Sequence, residues 1–407
     1  MNLRPRRIIS SMSLTLSALL VANGCKSGEG PVAPHAADSL HVDGLGAVPD
    51  RFTAELSIRG NVGYTTTWGS RSTANGTVRG NEVNIWDVSG AKPVLVDSLI
   101  VSGATTLGDI QVSDDGKLLI VATEFVTGSI VIYDLADPLK PRLLSRFGST
   151  DTSPGVHTAE VARVNGKLYA FLCVDPGGPQ PASLVIVDLS DPTAPTEVLA
   201  RVMGNPYVHD VVVRDGILMT ALWNDGISIF DIGGGGKGGS VANPVLMGNT
   251  KTVGGDAHNI WWYHDAAGSK RYAFVGEEGS GSIGSFAFGD IHVVDVSDLT
   301  APDEVAFFDI PGAGTHNFSM DESRGILFAA FYNAGVTAID VRGNLGTCDA
   351  SMKSSDNRCD LGKMGRELAR GLADVGFPVY IWGVQSVGAK VYASDMLNGL
   401  WKLDTVP

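Results

Sequence analysis

The 407-residue sequence has little charge, few aromatic side chains and only four cysteines. Charged residues make up 18% and aromatic residues 7% of the chain, whereas glycine occurs 51 times. This composition suits a turn-rich β protein better than a helical or a disordered one. Three catalytic patterns are also missing: the Gly-Lys-Ser/Thr phosphate loop, the Gly-x-Ser-x-Gly nucleophile turn and the Cys-x-x-Cys pair. Their absence argues against the enzyme classes that depend on them.

The N-terminus has the pattern of a cleaved export signal, which we assign to residues 1–24. A basic stub is followed by an apolar run from Ile8 to Val21, which is too short to cross a bilayer as a helix. Cys25 then stands where a bacterial lipobox places its lipidated cysteine, although Ala22 replaces the usual leucine. We predict lipidation of Cys25 and a polar tether over residues 25–38. The alternative is an ordinary signal peptide cut nearby.

The acidic charge limits the partners of the exported chain. Cleavage before Cys25 would remove three arginines and no acid, which leaves 27 basic and 44 acidic residues and a formal net charge of −17. Such a surface repels phosphate backbones, so we expect no nucleic-acid partner and no membrane contact except through the N-terminal lipid. In some bacteria, an Asp directly after the lipidated cysteine retains a lipoprotein at the inner membrane. This chain has Lys26 at that position. We therefore expect an outer-membrane lipoprotein or a periplasmic protein of the bacterial cell envelope.

One sequence pattern recurs along the chain, and its fullest form is SLVIVDLSDPTAP at residues 183–195. An alternating strand precedes an aspartate, and a Ser-Asp-Pro type of turn follows it. Two earlier strands in each unit are joined by Asn-Gly or Asp-Gly, which is a strong hairpin signal. Each unit is therefore a four-stranded antiparallel meander. The aspartates that mark the seven units are Asp87, Asp134, Asp188, Asp231, Asp295, Asp340 and Asp404.

Seven such meanders cannot each bury both faces, but a closed ring of them can. We therefore predict an all-β fold, a seven-bladed β-propeller of four-stranded antiparallel blades, over residues 39–407. The last unit lacks a fourth strand, which Ser39–Leu45 would supply. Residues 342–378 form an insertion in the sixth unit, where we predict a short helix. In an exported protein, Cys348 and Cys359 can close a small disulfide loop there.

These residues resemble a known family, the bacterial LVIVD-repeat proteins, which are named for the strand that Leu184–Asp188 spells out. The similarity covers residues 54–404, is tight at residues 183–195 and is loose in the fourth unit. The resemblance implies an exported or lipid-anchored propeller. It implies little chemistry, because the family is defined by residues that make the fold.

Four consecutive units begin their innermost strand with histidine, and these are the candidate metal ligands: His157, His209, His258 and His316. Inner strands converge on the axis of a propeller, so the four imidazoles are expected at one mouth of the channel, where they could bind Cu, Fe or Zn. YVHDVVV around His209 is similar to inner strands of selenium-binding protein propellers, which look like methanethiol oxidases. Acids and amides in the same register would orient the other ring nitrogens: Glu55, Asp109, Glu160, Asp210, Asn259 and Asn317. The alternative is that repeat duplication copied these residues and that they satisfy backbone groups around a wet channel.

The loops between second and third strands are predicted to open at the same mouth, and binding residues concentrate in such loops. Their side chains offer stacking surfaces and hydrogen-bonding groups for a sugar or a peptide, although each also fits ordinary hairpin chemistry. The candidates are Trp68, Trp223, Asp225, Glu277, Glu278, Asn333, Asp395 and Asn398.

Two functions remain open on the sequence. The first is a monomeric binding module of the cell envelope for a protein, peptide or glycan ligand. The alternative is a metal-dependent oxidoreductase that uses the histidine ring. A propeller hosts both classes, so the fold does not choose between them.

Overall fold

The computed structural model describes residues 38–48, 50–125, 127–279, 288–375 and 378–405. Seven antiparallel sheets surround a central axis, and each innermost strand contacts the innermost strand of the next sheet until the ring closes between the seventh and the first. The predicted seven-bladed β-propeller of four-stranded blades is confirmed. In the described residues no helix is long and apolar enough to cross a membrane. The predicted signal peptide, Cys25 and most of the tether lie outside the described residues.

The strands follow one another from the axis outwards in every blade. Two short strands, β1 (Asp38–Ser39) and β2 (Val42–Gly46), precede blade 1. Blade 1 contains β3 (Phe52–Arg59), β4 (Val62–Trp68), β7 (Glu82–Asp87) and β8 (Val94–Ile100), with the hairpin of β5 (Ser70–Thr73) and β6 (Gly76–Arg79) inserted between β4 and β7. Blade 2 contains β9 (Thr106–Val112), β10 (Leu118–Glu124), β11 (Ser129–Asp134) and β12 (Arg142–Phe147). Blade 3 contains β13 (Val156–Val164), β14 (Lys167–Val174), β15 (Ser183–Asp188) and β16 (Thr196–Val202).

The remaining blades repeat this order. Blade 4 contains β17 (Asp210–Arg214), β18 (Ile217–Ala221), β19 (Ile227–Asp231) and β20 (Val245–Thr250). Blade 5 contains β21 (Ala257–Trp262), β22 (Tyr272–Glu277), β23 (Ile291–Asp295) and β24 (Asp303–Phe308). Blade 6 contains β25 (Phe318–Asp321), β26 (Ile326–Phe331), β27 (Gly335–Asp340) and, after the two-residue β28 (Cys359–Asp360), β29 (Glu367–Gly371). Blade 7 contains β30 (Ile381–Val387), β31 (Lys390–Asp395) and β32 (Gly399–Asp404).

The repeated aspartate works as a turn-forming residue in six of the seven blades. Its carboxylate accepts the backbone N–H two residues further on, as in the 2.7 Å bond from Ser190 N to Asp188 Oδ1. This local bond starts the turn between the third and fourth strands. The other five acceptors are Asp87, Asp134, Asp231, Asp295 and Asp340.

The N-terminal segment closes the ring, as its sequence predicts. Strand β2 pairs antiparallel with β32 and is the fourth strand of blade 7. Strand β1 pairs in parallel with β29 of blade 6. Gly46 also lies against blade 1, because a Cβ added there would stand 2.5 Å from the ring of Trp86. The segment from residue 38 to residue 48 therefore holds three blades together.

The predicted short helix within residues 342–378 is wrong. Apart from a single 3-10 turn at Ala350–Met352, the described part of this insertion has strands and turns. Strand β29 pairs with β27 and is the fourth strand of blade 6. The open edge of β27 offers a row of backbone donors and acceptors, and pairing with them outweighs the helical propensity of the sequence ELARG. Strand β28 similarly pairs in parallel with β24, so the outer strand of blade 5 has a further short strand along its edge.

The hydrophobic core lies between neighbouring blades. Seven of the eight buried clusters each join two adjacent blades, and the eighth joins blades 6, 7 and 1 through Tyr332, Trp382 and Phe52. Between blades 7 and 1, for example, Trp86 packs with Tyr392 and Leu400. Because every blade is stabilised by its neighbours, closure of the ring contributes to the stability of the whole fold.

Cys348 and Cys359 form a disulfide that closes a loop across 11 residues of sequence separation. Replacing both with serine is expected to lower the free energy of unfolding by about 2–3 kcal/mol, because the reduced chain gains entropy when it unfolds. Guanidinium denaturation would measure the change. A reductant should destabilise the wild type by a similar amount and leave the double variant unaffected, whereas equal stability of the two proteins would contradict the prediction.

Candidate functional site

The four predicted histidines lie side by side at one mouth of the channel. Ring centroids are 4.4 Å apart between His157 and His209, 4.0 Å between His209 and His258, and 4.2 Å between His258 and His316. Each residue stands at or just before the start of an innermost strand, in blades 3 to 6. The in-register repeats therefore place the imidazoles in one continuous arc.

Two tryptophans continue this arc through blades 7 and 1. The Trp382 ring lies 4.3 Å from His316 and 5.6 Å from Trp68. Trp68 Nε1 donates to Glu124 Oε2 at 2.9 Å, and Glu124 Oε1 lies 3.0 Å from His157 Nδ1. We call the four histidines with Trp68, Trp382 and Glu124 the mouth ring.

A small cavity of about 20 Å³ lies within the mouth ring. This volume has room for about one water molecule or one ion. The lining includes every member of the mouth ring and the start of the channel below it: Ala54, Glu55, Trp68, Gly108, Asp109, Glu124, His157, Thr158, His209, Asp210, His258, His316, Asn317 and Trp382.

His157 differs from the other three histidines in its charge. Burial alone would lower the pKa of His157, but the nearby carboxylates of Glu124 and Asp175 outweigh burial and raise this pKa to about 10. Asp175 Oδ2 lies 3.9 Å from His157 Nδ1. At neutral pH His157 is therefore an imidazolium held between two acids, and a protonated ring has no lone pair for a metal ion.

The other three imidazoles are neutral. Burial lowers the pKa of His209, His258 and His316 well below the ordinary value, and neighbouring histidines lower it further. His316 Nδ1 lies 2.7 Å from Trp382 O, which only accepts, so this nitrogen carries the hydrogen. By contrast, neither ring nitrogen of His258 has a hydrogen-bond partner, and His209 Nδ1 has none.

The predicted orienting acids and amides form a layer below the mouth ring, and most of their bonds go to neighbouring blades. Asp109 Oδ2 accepts from Ala159 N at 3.1 Å, and Asp210 Oδ2 accepts from Ile260 N at 3.2 Å. Each aspartate thus joins its own inner strand to the next one. This arrangement matches the alternative in which these residues satisfy backbone groups around the channel.

The same layer closes across the seam of the ring. Glu55 Oε1 accepts from Asn317 Nδ2 and Trp382 Nε1, each at 2.6 Å, and Glu160 Oε2 accepts from Gln111 Nε2 at 3.0 Å. Asn259 Oδ1 is buried and has no partner. Four of the six predicted acids and amides line the cavity: Glu55, Asp109, Asp210 and Asn317.

Burial disfavours the charged form of these carboxyl groups. It raises the pKa of Glu55 and of Glu160 to about 8, and the charge of Asp109 adds to the shift at Glu55. The pKa of Asp210 rises to about 7 through burial and the charge of Asp109, and burial also raises the pKa of Asp109. The channel therefore holds protons at neutral pH.

The predicted loop residues divide into two groups. Trp68, Trp223 and Glu278 reach the mouth: Trp223 stacks on His209 at 5.3 Å, and Glu278 Oε2 lies 3.6 Å from His258 Nε2. The other five are held in local structure. Asp225 N donates to Leu222 O, Asn333 donates to Gly312 O, Asn398 donates to Asp395, and Glu277 lies 3.5 Å from the buried His292 of blade 5.

Three residues of the site are absent from the sequence-based candidates: Glu124, Asp175 and Tyr332. Glu124 ends the second strand of blade 2, and the other two directly follow the second strands of blades 3 and 6. Tyr332 donates from its hydroxyl to Glu278 Oε1. The signal that would have found them is an alignment of second-strand ends, because these ends reach the same mouth as the starts of the inner strands.

Two groups of side chains at the mouth have the geometry to hold a metal ion. One contains His209, His258 and Glu278, and the other contains Glu124, His157 and Asp175. In each group the candidate ligand atoms lie within 4.8 Å of one another. The sequence-based prediction of four histidine ligands remains a prediction: three of those histidines belong to the two carboxylate-containing groups, and His316 belongs to neither.

Comparison with known families supports the repeat assignment. The LVIVD repeat model matches residues 178–201 and 286–309. The first match covers the third and fourth strands of blade 3 except for Val202, and the second covers the third and fourth strands of blade 5. The predicted resemblance to LVIVD-repeat propellers is confirmed by these matches and by the seven blades. No curated protein matches the chain.

Proposed function

We propose that this seven-bladed β-propeller with LVIVD repeats is an exported binding module and that its ligand contacts the mouth ring. One observation carries this proposal. His209 Nδ1 and both ring nitrogens of His258 are buried at a cavity and have no hydrogen-bond partner. An unpaired buried polar atom costs about 1–3 kcal/mol, so a bound group that pairs with these nitrogens is favoured.

The surroundings of the cavity indicate the chemistry of the ligand. Trp68 and Trp223 are partly exposed and offer ring faces, and Glu278 adds a carboxylate. Aromatic faces next to carboxylates suit a glycan, a peptide or a polar loop of an envelope protein. The acidic surroundings disfavour an anionic ligand.

Location in the cell envelope is part of the same proposal. It rests on the basic stub, the apolar run and Cys25 at the N-terminus. A lipid on Cys25 would tether the propeller to an outer membrane, whereas cleavage elsewhere would leave a periplasmic protein. In both arrangements the mouth is available to envelope ligands.

We also propose that the mouth takes a transition-metal ion, with Cu, Fe and Zn as candidates. Two groups of His, Glu and Asp side chains supply the donor atoms. The oxidoreductase alternative is weaker, because donor atoms for an ion are not by themselves evidence of a reaction. We therefore treat the ion as a part of the binding site.

Arrays of glycans and of peptides, probed with the labelled protein, would test the binding function. Trp68→Ala and Trp223→Ala are each expected to weaken binding by about tenfold, since each removes a stacking surface. The control is Val96→Ala on the outer strand β8, where the side chain is 47% exposed. Absence of binding by the wild type, or equal binding by all four proteins, would contradict the proposal.

A further inference from the structure

We propose that His209, His258 and Glu278 bind one divalent first-row transition-metal ion, such as Zn²⁺, at the edge of the cavity. This inference deepens the proposed function and rests on it, because it names a component of the same binding site. One nitrogen from each histidine and one carboxylate oxygen lie within 4.8 Å of one another. The site is narrower than the ring of four histidines that the sequence predicts.

The spacing of the donor atoms suits an ion between them. His258 Nε2 and Glu278 Oε2 are 3.6 Å apart, which is too long for a hydrogen bond. Two ligands that each lie about 2.0–2.2 Å from a tetrahedral Zn²⁺ are separated by about 3.3 Å. A small movement of either side chain would therefore bring both atoms to coordination distance.

The free nitrogens support this site. The His258 side chain is 2% exposed and neither nitrogen has a partner, whereas His209 is 7% exposed with an unpaired Nδ1. A neutral imidazole with a free nitrogen can bind a metal ion without first losing a proton.

The second group of donors is already paired. Glu124 lies 3.0 Å from His157 Nδ1 and accepts a 2.9 Å bond from Trp68 Nε1. His157 Nδ1 also lies 3.9 Å from Asp175 Oδ2, so the side chains of this group already contact one another. We therefore assign the metal ion to His209, His258 and Glu278 alone.

Neighbouring residues hold the proposed ligands in place. The Tyr332 hydroxyl donates to Glu278 Oε1 and leaves Oε2 for the ion. His316 stacks on His258 with 4.2 Å between ring centroids, and its own Nδ1 is engaged by Trp382 O. Such contacts fix ligand orientation in metal sites.

The donor set selects the class of ion. Two imidazoles and one carboxylate suit Zn²⁺, Cu²⁺ or Fe²⁺, whereas Mg²⁺ and Ca²⁺ prefer sites made of oxygen alone. Three protein ligands leave at least one coordination position open. A polar group of the ligand would bind the ion at that position, which connects the metal site to the binding function.

Isothermal titration of the EDTA-treated, dialysed protein with Zn²⁺ tests this site. We expect about one ion per chain, a loss of affinity of at least 100-fold in His258→Ala, and a loss of about 10- to 100-fold in Glu278→Gln, which keeps the shape of the side chain. The matched control is His264→Ala, since this imidazole packs on Trp262 away from the mouth ring. Circular dichroism and thermal melts of each variant would show that it is folded.

Co²⁺ substitution gives a second measurement that a folding defect would not imitate. Its visible absorption should change between the wild type and Glu278→Gln and stay constant in His264→Ala. Zn²⁺ affinity that is undetectable in the wild type, or unchanged in His258→Ala, would overturn the assignment. Loss of Zn²⁺ binding in His157→Gln with retention in His258→Ala would also overturn it. If the EDTA-treated protein shows no Zn²⁺ binding and still binds its peptide or glycan, the metal site fails while the binding function stands.

Discussion

Deleting residues 38–48 is expected to lower the free energy of unfolding by about 5 kcal/mol, the largest loss of stability that we predict. The segment buries Leu40 and Val48, which are 5% and 3% exposed. Burial of such a side chain is worth about 1.5–3 kcal/mol, and the deletion also removes the outer strand of blade 7. It further uncovers Trp401, which pairs with Leu45 across the closing strands. Loss of closure therefore weakens the interfaces of blade 7 with both of its neighbours.

Deletion of residues 70–79 is a matched control, because it removes the similarly long hairpin of β5 and β6. Gly80 N donates to Gly69 O at 2.7 Å, so the cut ends already meet. The hairpin pairs only within itself and is not part of the four-stranded ladder of blade 1. Guanidinium unfolding followed by tryptophan fluorescence should show a loss of about 1 kcal/mol or less for this control. If removal of residues 38–48 is no more destabilising than removal of the hairpin, the closing role of β2 is wrong.

Most of the fold could be predicted from sequence because its signals are local and repeated. The Asp188 turn, for example, needs only a carboxylate and a backbone N–H two residues away. Repetition of such turns sets the number of blades. Strand β29 could not be predicted from its own sequence, because it forms a strand by pairing with the edge of β27, about 30 residues earlier in the chain. Local propensity gave a helix where a distant partner imposes a strand.

The positions of the site histidines could also be predicted, but their chemical differences could not. His157 and His258 occupy the same place in their blades and look equivalent in sequence. The first lies between Glu124 and Asp175 and is charged, whereas burial and the neighbouring histidines keep the second neutral. These neighbours come from the ends of second strands in other parts of the chain. The repeat fixes where an imidazole lies, and non-repeated residues around it fix what it can bind.

The second large effect concerns pH: the free energy of unfolding is expected to fall as the pH rises from about 6.5 to 9, above the range in which the depressed pKa values of His209, His258 and His316 act in the opposite direction. Glu55 and Glu160 have a pKa of about 8 in the folded chain, well above the ordinary value of 4.5. These two carboxyl groups therefore bind more protons in the folded state than in the unfolded state between pH 4.5 and pH 8, and the stability that they contribute decreases across that interval. His157 acts in the same direction. Its contribution is complete below pH 6.5 and is lost as the pH rises through about 10.

Removing the two channel carboxylates should reverse much of this loss. The double variant Glu55→Gln/Glu160→Gln keeps the acceptor oxygens that Trp382 and Gln111 use and cannot ionise. Relative to the wild type it should gain about 2 kcal/mol or more between pH 5 and pH 8, since one unit of pKa shift corresponds to about 1.4 kcal/mol. Guanidinium unfolding at both pH values measures the gain. Glu197→Gln, at an exposed position on the outer strand β16, should keep the wild-type slope. Parallel pH profiles for the wild type and the double variant would contradict this prediction. They would mean that water reaches these carboxyl groups in the channel, so that they ionise there as easily as in the unfolded chain.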